Sequence, residues 1–118
     1  MEKMLIQTGE HKIEVELFDN ETTQDIVAHL PLSLTMERYD DREFYAILDF
    51  HPSTNGMVIE NYKNGDVIYF PKLNSFAIFY AKEGGDAIPG LILIGHVASE
   101  LDVFSALDEK ADCEISLA

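Results

Sequence analysis

Apolar and polar residues alternate with a period of two, in short runs, from one end of the chain to the other. No other feature limits the possible folds as strongly. Successive side chains on an extended strand point to opposite faces. A run such as Ile13, Val15 and Leu17, set between Lys12, Glu14 and Glu16, therefore buries one face and wets the other. The opening MLIQTGEHKIEVEL reads as two such strands around a turn at Gly9-Glu10.

The period then changes. Ile26, Val27 and Leu30 share a helical face, Thr22 and Asp25 form a capping-box-like start, and Pro31 ends the run. LPLSLTMERYDDREFYAIL returns to strands joined near Asp40-Asp41, with Leu32, Leu34 and Met36 alternating in the first and Tyr45 and Ile47 in the second. Asp49 to Gly56 is loop by its Pro, Ser, Asn and Gly content. MVIENY and DVIYF flank the turn signal Asn64-Gly65, and Pro71 opens a turn before SFAIFYA.

KEGGDAIPG is a further loop, and LILIGHV is an apolar run suited to a strand covered on both sides. Ser99 and Asp102 cap a second helix, with Leu101, Phe104 and Leu107 at helical spacing, before CEISL closes the chain. About eight strands and two short helices, with no linker or repeat, predict a mainly β fold. The expected architecture is one closed barrel over residues 1–118, plugged by two capping helices.

Charge removes several functions. Eight basic against 22 acidic residues give a net charge of -14, which repels nucleic-acid backbones and anionic lipid. Cys113 is the single cysteine, so an internal disulfide and a cysteine metal cluster are excluded; its alternation with Ile115 and Leu117 marks a buried, inert thiol. The start lacks the apolar run of a signal peptide and no segment has about 20 apolar residues, so a cytoplasmic location is expected.

Candidate chemistry is sparse. His11, His29, His51 and His96 have no metal-ligand spacing; His29 reads as a helix C-terminal residue and His96 as a strand residue. Glu37, Asp40, Asp41 and Glu43 crowd one hairpin without EF-hand spacing and read as a solvated turn partly neutralised by Arg38 and Arg42. No serine has a Gly-x-Ser-x-Gly context, and the glycines at 84–90 precede a strand rather than a helix, which excludes a phosphate loop. No cofactor and no metal is expected. The aromatic residues between positions 39 and 80 read mainly as core and wall packing.

Four stretches, in order, resemble the cyclophilins. IEVELFDNETTQDIVAHL resembles their strand ending in Glu-Leu-Phe and first helix, here Glu16, Leu17 and Phe18. NGDVIYF is similar to their Gly-Gly-Asp-Phe turn and FAIFYAK to their Phe-Phe-Ile strand; IGHVASELDVFSAL resembles a later strand and helix through Gly95, His96, Val97, Leu101, Asp102 and Val103. With LPLSLTMERY and PGLILIGHV the set is closer still to the small bacterial cyclophilin-like proteins, a group largely without assigned activity. The resemblance implies a cyclophilin-like barrel over nearly the full chain.

It also implies where prolyl isomerase chemistry belongs. The family's arginine follows Phe-His in a strand, whereas Phe50 and His51 here are followed by Pro52. The glutamine position falls on Asn64 or Lys63, the pocket phenylalanine on Ala77 and the active-site histidine on Leu91. Loss of a guanidinium aimed at developing charge costs orders of magnitude in rate, so no catalytic residue is assigned.

What remains is a surface. Side-chain alternation turns Ala77 and Phe79 outward when Phe76, Ile78 and Tyr80 face the barrel. With Leu91 they line an expected apolar groove edged by Glu60, Tyr62 and Lys63, where Phe79→Glu is expected to abolish binding and spare the fold. The expected function is a non-catalytic module for a peptide or small ligand. The alternatives are a weak peptidyl-prolyl cis-trans isomerase and a self-association domain forming a homodimer.

Overall fold

The computed structural model describes residues 2–118. Its strands are β1 Lys3–Thr8, β2 His11–Leu17, β3 Leu32–Tyr39, β4 Glu43–Ile47, β5 Met57–Ile59, β6 Asp66–Phe70, β7 Ser75–Phe79, β8 Leu91–Val97 and β9 Lys110–Leu117. Helix α1 spans Glu21–Ala28, and 3₁₀ turns span Pro71–Leu73 and Leu101–Ala106. All strand pairs are antiparallel, in the order β2-β1-β9-β3-β4-β7-β6-β8, and β2 returns to β8 to close an eight-stranded barrel.

The ninth strand, β5, does not widen the barrel. One edge of β8 pairs with β6; the other is shared, Leu91 to Leu93 pairing with β5 and Gly95 to Val97 with β2. The expected hairpin across Asn64-Gly65 is therefore corrected: MVI and DVIYF both pair with β8, not with each other, and Glu60 to Tyr62 are irregular. Asn64-Gly65 still makes a turn, closed by the Asp66 amide donating to the Lys63 carbonyl at 2.9 Å.

Alternation fills the interior as expected from β1, β2, β3 and β9, whose Met4, Ile6, Ile13, Val15, Met36, Cys113 and Ile115 join one core with Phe44, Tyr69, Phe76, Ile78, Ile94 and Phe104. The packing leaves an internal void of about 10 Å³, too small to hold more than one water. In β4 the inward residues are Phe44 and Ala46, so Tyr45 and Ile47 lie on the outer face. The Asp40-Asp41 turn places both central residues at positive φ, which is the type I′ geometry that matches strand twist.

Opposite ends of the barrel are closed by different devices. Helix α1 lays Ile26 into the core, but its N-cap is Asn20 rather than Thr22: the Asn20 Oδ1 accepts from the Thr23 amide at 2.9 Å. Thr22 is instead buried and donates to the Ser53 carbonyl at 2.6 Å. The second helix is a 3₁₀ segment with no side-chain cap; Ser99 Oγ accepts from the Glu14 amide, and Phe104 plugs the core. Arg38 fastens that plug by donating to the Phe104 and Leu107 carbonyls and the Tyr80 hydroxyl, with its guanidinium 4.7 Å above the Phe44 ring.

Candidate functional site

The two halves of the barrel wall differ in what they show to solvent. On β2, β9 and β3 the outward positions are Lys12, Glu14 and Glu16, then Asp112 and Glu114, then Ser33, Thr35 and Glu37. That is the polar face expected of a wall in water. On β4, β7, β6, β8 and β5 the outward register runs Tyr45, Ala77, Ile68, Leu93 and Met57, one apolar residue per strand. A second row runs Ile47, Ser75 and Phe70.

Part of this outer face is covered from within the chain. Tyr62, Ile68, Ala77, Phe79 and Leu91 form a second hydrophobic cluster outside the barrel, edged by Tyr45, Ile59, Phe70, Ile88 and Leu93. Ala77 and Phe79 thus face outward, as alternation predicts, and the fold packs Tyr62 and Leu91 against them. They do not line an open groove, however, because Tyr62 and Ile88 lie over them and Phe79 is only 2% exposed.

Glu60 and Lys63 are exposed on the rim, where their backbones do the holding. The Glu60 carbonyl accepts from the Ile88 amide at 3.1 Å, and the Lys63 amide donates to Asp66 Oδ2 at 2.9 Å. Burial also changes what Phe79→Glu would do: an unpaired carboxylate placed in this cluster breaks packing before it tests binding.

The uncovered end of the outer face carries Ile47 (64% exposed), Leu73 and Met57, beside half-buried Phe70 and Leu93. At the covered end lies an arginine that motif order did not place there. Arg42, in the β3–β4 turn, holds its guanidinium 5.4 Å from both the Phe79 and Tyr39 rings and pairs with Glu43. Its Nε is buried without a hydrogen-bond partner. Burial pushes the Glu43 carboxyl above its usual range despite the neighbouring guanidinium, and burial likewise raises the Tyr62 hydroxyl.

The remaining candidates are engaged in structure. Pro52, at the position that the resemblance gives to arginine, is buried in an irregular segment, and His51 is exposed. His29 caps α1, donates from Nδ1 to the Asp25 carbonyl at 2.8 Å and stacks on Phe50 with centroids 3.7 Å apart. His96 is more than a strand residue: its Nδ1 lies 2.9 Å from Asp66 Oδ1, and Gly65 sits where a Cβ would meet its ring. Strand register in β6 and β8 could have found that pair.

A cleft of about 670 Å³ opens beside α1, floored by Leu17, Phe18, Val27 and Ala28 and bordered by Glu2 and Asp19. Its size suits a small molecule. Three of its polar side chains are engaged internally: Gln24 donates to Asp19 at 2.8 Å, and the Thr23 hydroxyl is 3.1 Å from Asn20 Oδ1. Among the described residues no three His, Cys, Asp or Glu side chains converge as a metal site, and no helix is long and apolar enough to cross a membrane.

Fold and surface together define a closed antiparallel barrel, one half of whose outer wall is apolar. A family model described as the cyclophilin-like family matches residues 6–118, and the chain belongs to that family. The solution structure of the hypothetical protein AF2241 from Archaeoglobus fulgidus is similar with a TM-score of 0.70 and 19% identity, covering 99% of this chain and 95% of that one. At that identity the likeness concerns the fold alone. No curated protein matches the chain.

Proposed function

We propose that the protein is a non-catalytic binding module that takes up a peptide on the apolar outer face of β4, β7, β6, β8 and β5. One observation carries this reading: the outward row of five successive strands is apolar, Tyr45, Ala77, Ile68, Leu93 and Met57, where the opposite half of the same barrel is mostly charged or polar. Ala77 and Ile68 are buried under the chain's own cover, and Tyr45, Leu93 and Met57 are left open. Exposed contiguous apolar surface on a soluble protein is the usual mark of an interaction site. Tyr62 and Ile88 fill the deeper end of the face, so a ligand rests on Tyr45, Ile47, Phe70, Leu93 and Met57. The acidic surface and single buried thiol suit a cytoplasmic setting.

A weak prolyl isomerase is the second reading, favoured by Arg42 over Phe79 on this same face. A guanidinium can stabilise a twisted proline amide relative to the planar one. Arg42, however, already shares its charge with Glu43, which leaves little for a developing charge and favours binding without catalysis.

The test is titration of the ¹⁵N-labelled protein with a capped Xaa-Pro peptide. Amide shifts at Tyr45, Ile47, Phe70 and Leu93 are expected, with binding weakened roughly tenfold, about 1.4 kcal/mol, by Ile47→Glu at its exposed position. Shifts confined to α1 and Phe18 would assign the ligand to the cleft instead.

A further inference from the structure

Closure of the barrel leaves β5 as the single strand with one neighbour among the described residues; every other strand is paired on both sides. Its second edge has no strand partner, and among the described residues no other backbone hydrogen bond reaches Met57, Val58 or Ile59. Natural edges of this kind are blunted by short length, lysine, proline or a bulge; β5 is short, at three residues, but it carries no lysine or proline and is Met57, Val58 and Ile59, with Met57 and Val58 50% and 62% exposed. Apolar residues are thus open on both faces of the strand, since Met57 follows the outer row and Val58 pairs with Ile92 of the inner one.

The strand is held ready at both ends. Gly56 packs so closely on Thr22, Ile92 and Asn20 that a Cβ there would lie 2.5 Å from Thr22 Oγ1. Ile59 is followed by the Glu60 carbonyl that binds the Ile88 amide. Carboxylates bracket the edge: Glu21 is bonded by Asn55, two residues before Met57, and Glu60 stands directly after Ile59.

We propose that β5 is a docking edge for an extended apolar peptide flanked by lysine or arginine, which joins the sheet as an added strand. Main-chain hydrogen bonds would supply the affinity and the two carboxylates the choice of a basic partner. This rests on the binding-module reading and adds to it the partner's charge and its mode of attachment. A second copy of the chain is the poorer occupant, because it brings the same Glu21 and Glu60 to the same edge and another net charge of -14.

The experiment is titration of the full-length ¹⁵N-labelled protein with the capped peptide Lys-Lys-Val-Thr-Val-Lys-Lys, an analogue N-methylated at its central residue, and an analogue with Glu for Lys. The expected result is shifts at the amides of Met57, Val58 and Ile59, with roughly tenfold or greater loss of affinity for both analogues and for Val58→Lys. Shifts at Tyr45, Ile47 and Phe70 that ignore N-methylation would overturn strand addition and leave outer-face binding standing. Absence of any shift would overturn both. β5 amides that move with protein concentration alone would give the edge to a second copy and overturn the peptide.

Discussion

The ring of Tyr62 lies stacked on Phe79, with centroids 4.1 Å apart, while its hydroxyl reaches the carbonyls of Ala81 and Lys82 at 2.8 and 2.7 Å. One side chain therefore covers the outer face and ties down the start of the 81–90 segment. One O–H serves both carbonyls in turn, so Tyr62→Phe keeps the cover and removes the tie.

That separation is measurable. Tyr62→Phe is expected to cost about 1 kcal/mol in chemical denaturation and to speed hydrogen exchange at Ala81 through Ile88. Phe79→Ala, which leaves a cavity under Tyr62, is expected to cost about 3–5 kcal/mol. Exchange unchanged in Tyr62→Phe would show that the hydroxyl is not what holds the segment.

Gly95 sits on the seam where β8 meets β2, and a Cβ there would lie 2.6 Å from the Glu16 carbonyl oxygen and 2.8 Å from a Val15 methyl. Backbone cannot yield as a flexible side chain can. Gly95→Ala is expected to lower stability by about 1–3 kcal/mol, read as a lower Tm, whereas Gly9→Ala meets no atom within 4 Å and acts only through its positive φ. A Tm unaltered by Gly95→Ala would mean that the seam is looser than the register requires.

Glu43 supplies a pH dependence whose sign follows from burial. Its folded pKa lies above the ordinary value of 4.5, so the folded state binds the proton more readily and Glu43's contribution to stability rises as pH falls through the window just above that value. Its burial penalty is fully present at neutral pH. The stability difference between Glu43→Gln and wild type should therefore shift in favour of wild type as pH falls from neutrality to about 5. A difference independent of pH, from denaturation curves at both conditions, would contradict it.

Cys113 is buried and burial pushes its thiol above the ordinary value of 9.0. The thiolate is the reactive form. A thiol reagent at mildly alkaline pH should label Cys113 only as fast as the barrel opens, and at once in denaturant. Rapid labelling of the folded protein would place the thiol in contact with solvent.

Strand number, barrel class and most inward residues were legible because period-two alternation is a local signal that closure preserves. Two local features were not. Asn20 displaced Thr22 as the cap because Thr22 found the Ser53 carbonyl, a partner 31 residues away. Tyr45 and Ile47 lie outside because both faces of β4 are apolar, so alternation alone does not choose between them and Phe44 and Ala46.

The expected groove was half legible for the same reason. Alternation turned Phe79 outward, but nothing in a period-two pattern says that Tyr62 and Ile88, from irregular segments, fold back over it. Arg42 was read as part of a solvated turn. Its place over Phe79 follows from the Glu43–Phe79 pairing of β4 with β7, which only the assembled sheet supplies.

The most direct measurement is exchange NMR on a capped Xaa-Pro peptide with and without a small amount of the protein, alongside amide shifts of the protein itself. A non-catalytic outer-face module predicts shifts at Tyr45, Ile47, Phe70 and Leu93 and no cis/trans exchange peaks beyond those of the free peptide. Exchange peaks that appear with wild type and vanish with Arg42→Lys would contradict it and make Arg42 a catalytic residue.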